Sequence, residues 1–161
     1  MIFTPQLIIF LSISFVLVWL FANTIDKRKW IGFLISVIAT PIVYFYVLYP
    51  LMNIFFSFHH QKHFNASIWK EKPAFRYEMS NNIIADSMLI GKSKAKITSL
   101  LGPSEWYSWD DSIKANSQNM WNYNLGFKPG AFNTDQECLE LIFKNGKVAH
   151  TRQYQMEKKF E

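Results

Sequence analysis

Two long apolar runs dominate the first third of the chain. Ile2 to Ala22 passes 21 residues without a charge, and Trp30 to Leu51 passes 22 more. A helix of about 20 apolar residues crosses a hydrocarbon core, so two spanning helices are expected, at about 2–22 and 30–51. The first run has no basic start, exceeds the length of a signal core and is followed by no small-x-small cleavage site, which predicts an anchor rather than a cleaved leader. Pro41 predicts a kink within the second run and Pro50 a stop or bend near its end. Tyr44, Tyr46 and Tyr49 crowd that end, as interfacial aromatics do. Residues 1–58 thus read as a two-helix anchor.

Beyond His59 the pattern is that of an ordinary polar chain. Leu51 to Phe75 is aromatic and weakly patterned, an interfacial extension followed by a juxtamembrane linker over 59–75, with Pro73 marking the start of a folded domain. Met79, Ile83, Ile84 and Met88 share roughly one helical face and predict a first short helix between Arg76 and Met88. Ser93 as cap, the stripe Ile97, Leu100 and Leu101, and the stop Gly102-Pro103 predict a second. The period then changes to two. Trp121, Tyr123 and Leu125 alternate with Asn122 and Asn124, and Leu139, Leu141 and Phe143 with Glu140 and Ile142, as in strands with one buried face. Asn145-Gly146 is the strongest turn signal in the chain and joins the last two strands as a hairpin. "EWYSW" reads as a further, more exposed strand. Helices followed by antiparallel strands give an α+β domain over 76–155, two short helices on a sheet of three to four strands, with a polar tail at 156–161.

Charge changes this picture little. The net +5 divides into +2 in the loop "NTIDKRKW" (three basic residues against Asp26) and +3 after it (14 basic against 11 acidic). That is too mild and scattered for a nucleic-acid footprint. The loop bases lie tight against both helix ends, which favours a cytoplasmic loop with both termini outside. Lys62, Lys70, Lys72 and Arg76 follow the second run, but are more dispersed and offset by Glu71. No Asp, Glu, Lys or Arg falls within either run, so neither carries an obvious ion or proton pathway. The single cysteine, Cys138, forbids an internal disulfide and reads as a buried, inert thiol.

Several motifs invite chemistry. Gly91-Lys92-Ser93 resembles the end of a phosphate-binding loop, but the position of that loop's first glycine holds Asp86, and no apolar strand precedes it; no nucleotide is expected. "HHQKH" places His59 and His63 four apart, on one face if the segment is helical, which would make a metal-dependent enzyme using His59, His60 and His63. The cluster has no Cys, Asp or Glu nearby, so solvated interfacial histidines are expected, with no metal or cofactor. "NAS" at Asn65 is a glycosylation sequon, relevant only in a eukaryotic secretory setting. His150 and Arg152 share a strand face, and Asp110, Asp111, Asp135 and Glu137 flank strand ends; surface polar residues are expected, not a catalytic group. Trp106, Tyr107, Trp109, Trp121 and Tyr123 exceed what a small core needs. Trp106, Tyr107, Trp109 and Trp121 are the candidate protein-binding surface.

With "LIGKSKAKITSLLGPS", "WNYNLG" and "LELIFKNGKV" in order, the segment from about Arg76 to Tyr154 resembles the BamE/SmpA-like family of small envelope domains. Gly91, Ser93, Ile97, Leu101 and Gly102 match the family's second-helix segment, with the proline one position early at Pro103. The resemblance implies a helix pair before an antiparallel sheet. It also implies a bacterial inner-membrane protein that displays its domain outside the cytoplasm and binds another envelope protein without being an enzyme. Similarity in fold to β-lactamase-inhibitory proteins keeps open an immunity-type or inhibitory protein that blocks a toxin or hydrolase. The partners expected are the lipid bilayer and an envelope protein.

Overall fold

The structure, a computed structural model, describes residues 2–56 and 58–157. The chain is α+β, with two long N-terminal apolar helices, short helices and a four-strand antiparallel sheet. It divides into two compact units, Met1–His60 with Pro129–Ala131 and Gln61–Lys128 with Phe132–Glu161.

In the first unit, α1 (Pro5–Ile25) starts where Thr4 accepts the Leu7 amide, with proline at the first helical position, where its missing N–H costs nothing. α2 (Lys29–Val43), a π-helical turn (Tyr44–Leu48) and α3 (Tyr49–Phe56) form one 28-residue helix. Both helices are long and apolar enough to cross a membrane. Neither proline ends the second one, so Pro50 is not a stop. The π turn comes just before Pro50 and closes on a Tyr49 N–H to Tyr44 carbonyl bond; its wider winding gives room for a ring that has no N–H to donate. The two helices meet through small residues. Gly32, Ser36 and Thr40 recur every fourth position on α2 and are buried, as are Ser14 and Ala22 on α1. Ser36 and Ser14 return their hydroxyls to the carbonyls of Gly32 and Phe10, so these two donors are satisfied within their own helices.

The second unit begins earlier than expected. The stretch read as linker contains α4 (Ala66–Glu71), capped by Asn65, whose side chain accepts the Ser67 and Ile68 amides. Its Trp69 is fully buried in the core. α5 (Tyr77–Ala85) and α6 (Lys94–Leu101) follow, the latter capped by Ser93 and ended by Gly102 at φ +91°. Met88 lies just beyond α5 and packs at the rim of the core. The strands β1 (Trp106–Asp110), β2 (Ala115–Phe127), β3 (Asp135–Lys144) and β4 (Lys147–Glu157) pair in sequence order, all antiparallel. β4 takes in Met156 and Glu157, the first residues of the expected tail; 158–161 lie outside the described residues. Asn145 and Gly146 both have positive φ, as a two-residue hairpin turn requires.

The core gathers Met79 and Ile83 of α5, Ile97 and Leu101 of α6, Trp69, and Trp121, Tyr123, Leu125, Leu139, Leu141 and Phe143 from the sheet. Arg76, itself buried, fastens α4 to the sheet. Its Nε donates to the Trp69 carbonyl at 2.7 Å, and Nη1 to the Asn124 carbonyl at 2.9 Å and to Glu105 at 2.5 Å. The guanidinium also lies 5.0 Å from the Trp69 ring centre, a cation–π contact strengthened by the loss of water around it.

Candidate functional site

β1 is an edge strand, and three of the four aromatics picked out from the sequence stand near its exposed side. Trp106 faces Asn122 across the pair and is half-buried. Tyr107, 42% exposed, is opposite Trp121, and Trp109, 57% exposed, is opposite Asn116. Between Tyr107 and Trp109 the register slips, so that Ser108 alone stands against Ser117–Met120. Slips of this kind bend an edge and blunt further pairing. The Trp109 indole donates to Asp111 at 3.2 Å, leaving its ring in solvent.

Trp121 does not belong to this surface. It is 9% exposed and packed against Phe143, its indole N–H donates to the Gln118 carbonyl, and the Lys94 ammonium caps both rings. It lies on the β2 face that meets the helices, so packing claims it.

Behind β1, on the sheet face turned from the core, is a polar network that alternation assigned to solvent. Glu140 has no exposed surface. It accepts Ser108 Oγ at 2.5 Å and Arg152 Nε at 2.8 Å. Asn122, equally buried, donates to Ser108 Oγ at 2.8 Å and accepts the Tyr154 hydroxyl at 3.0 Å. Arg152 lies over the Tyr154 ring. Cys138 shares this face, and burial pushes its thiol up to about 11; burial likewise raises Tyr154 to about 12. Both stay protonated at neutral pH, the thiol as an inert filler.

Glu137, also buried, takes Gln153 at 2.5 Å, Gln155 at 2.8 Å and Lys128 at 2.9 Å. Burial pushes its carboxyl up, but these donors together outweigh that and hold it below the ordinary value. Nothing in the alternation of β3 marks Glu137 and Glu140 as internal, yet both are buried. His150 is exposed, and its strand neighbour Arg152 is engaged by Glu140.

The histidines do not share a helix face, because 58–65 is not helical. His60 is buried and stacks on Tyr49 at 4.1 Å, with Tyr44, Phe45 and Phe58 around it; His63 is exposed. Among the described residues no three His, Cys, Asp or Glu gather as metal ligands. In the Gly91-Lys92-Ser93 stretch, the Gly91 amide donates to the Val148 carbonyl and the Lys92 carbonyl accepts the Val148 amide, at 2.8 and 2.9 Å. That backbone extends the sheet edge, and the Ser93 side chain caps α6. No family model, no curated protein and no solved structure matches the chain.

Proposed function

We propose that this chain is a bacterial membrane-anchored protein-interaction module of the cell envelope, non-enzymatic, held by two spanning helices with its C-terminal unit outside the cytoplasm. The observation that carries the reading is the aromatic edge. Tyr107 and Trp109 are exposed on a short strand whose neighbours are locked by a buried polar network. Exposed Trp and Tyr on a rigid support make low-entropy anchors of the kind that dominate protein interfaces. The carboxylates behind them are satisfied by Ser108, Arg152, Gln153, Gln155 and Lys128, which suits a structural role better than acid–base work. The short helices beside an antiparallel meander also suit the BamE-like resemblance, and a domain of that kind serves as a binding scaffold.

A photo-crosslinking side chain at Trp109, compared in cells with one at Lys144, the last residue of β3 beside the hairpin turn, tests this. A discrete adduct at 109, lost on Tyr107→Ala and absent at 144, is the expected result; equal labelling at both positions overturns it. Trp109→Ala itself should change domain stability by less than about 0.5 kcal/mol, as an exposed substitution does.

A further inference from the structure

Small residues bring α1 and α2 together along one line, but on one flank they leave a groove of about 410 Å³. Leu17, Phe21 and Ile25 form one wall and Ile35, Ala39 and Val43 the other. Leu17 to Ile25 spans eight helical steps, about 12 Å, enough for part of an acyl chain. The lining is apolar except at one end, where Asp26 begins the basic loop.

The charges at that end decide what the groove suits. Asp26 is held by Arg28 through two side-chain bonds, at 3.2 and 3.0 Å, and through the Arg28 amide at 2.9 Å. The Arg28 hydrogen bonds keep its carboxyl below the ordinary value, so the acid is answered locally. Lys27 and Lys29 are exposed, and among the described residues neither enters an ion pair. Two other apolar hollows on α1, one beside Ile13 and Val16 and one beside Phe3 and Leu11, have no cation in their lining or next to it in sequence. Of the three, only the groove between α1 and α2 has lysines following its lining in sequence, Lys27 directly after Asp26 and Lys29 two residues on.

We propose that this groove is a site for one anionic phospholipid, its acyl chain lying between α1 and α2 and its phosphate held by Lys27 and Lys29. The inference rests on the reading of the hairpin as membrane-spanning. A zwitterionic lipid fits the trough equally well but brings its own cation to the lysines, so discrimination comes from headgroup charge. Basic side chains at an anionic surface gain about fivefold each.

The test uses the full chain in phosphatidylcholine vesicles doped with spin-labelled phosphatidylglycerol or spin-labelled phosphatidylcholine, reading the motionally restricted fraction. The expected result is a preference for phosphatidylglycerol of about 25-fold, set by the two lysines, that falls toward one in Lys27→Gln/Lys29→Gln. It should fall as far when the trough is filled with both lysines intact, by Ala39→Phe or by Ile35→Trp, the latter at a position already 47% exposed. Retained helicity qualifies each variant. No preference in the native chain, or one unchanged by the lysine substitutions, overturns the site. A preference that survives both fillings also overturns it, leaving only attraction to the loop. If neither lipid shows a restricted fraction, the hairpin is not in the bilayer, and the membrane reading falls together with the site.

Discussion

A carboxylate without exposed surface depends on its donors, and Glu140 has two of unequal kind. Arg152 is 55% exposed in its side chain while its partner is sealed, so the two ends of this pair respond differently to removal. Arg152→Ala should cost about 3 kcal/mol, because it leaves a buried charge with only Ser108. Glu140→Gln keeps a hydrogen-bonding side chain and releases Arg152 to water, costing nearer 1 kcal/mol. Denaturant titration of the two variants reads the asymmetry directly. Glu137 and Cys138, adjacent in β3, set opposite limbs of a pH profile. The lowered Glu137 value means the unfolded chain binds its proton first, so this contribution is complete above the ordinary carboxylate range and is lost as pH falls through the lowered value. The raised Cys138 value works the other way: its contribution is complete below the ordinary thiol value of 9.0 and is lost as pH rises to about 11. Melting temperature against pH should therefore fall at both ends, with Glu137→Gln flattening the acid limb and Cys138→Ala the alkaline one. The sequence hid these residues because polar positions in an alternating strand look solvated. Nothing in "CLELIF" shows that Ser108 and Tyr154 cover the other face.

At the level of elements, what could be read were pieces with strong local chemistry. α6 shows itself through the Ser93 cap, the Ile97–Leu101 stripe and the Gly102 stop, and the β3–β4 hairpin through Asn145-Gly146. α4 has only six residues and one buried side chain, too few for any period to show. Asn65 was visible as a sequon, but its role as a cap depends on a helix that could not be seen. Trp69→Ala tests whether α4 is integral: about 3–5 kcal/mol should be lost, as for a large aromatic removed from a core, whereas a residue in a true linker would cost almost nothing. In the helical hairpin the matching position is Gly32, where an added Cβ meets the Asn23 side chain. Gly32→Leu should force the helices apart and lower the hairpin's resistance to unfolding in detergent, measured by the loss of helical signal on titration with a denaturing detergent.

For the whole molecule, the two long apolar helices were legible because such runs need no tertiary context to be recognised. The surface was less legible. Strand alternation cannot tell a core tryptophan from a displayed one, and Trp121 was grouped with Trp106, Tyr107 and Trp109 although Lys94 and Phe143 enclose it. The proposed orientation follows from charge near the helix ends. A periplasm-active reporter fused after Glu161 should be active and a cytoplasm-active one silent at equal expression; the reverse would place the aromatic edge in the cytoplasm and remove the envelope partner.

The burial of Cys138 has a practical side. A thiol that is covered and protonated does not react with aqueous alkylating reagents, so toward such reagents the native chain behaves as if it had no cysteine. Single cysteines introduced along Asp26–Trp30, at Trp109 or in the hairpin turn would each be the one reactive site in an otherwise unaltered protein, letting compartment and contact be charted by labelling in intact cells.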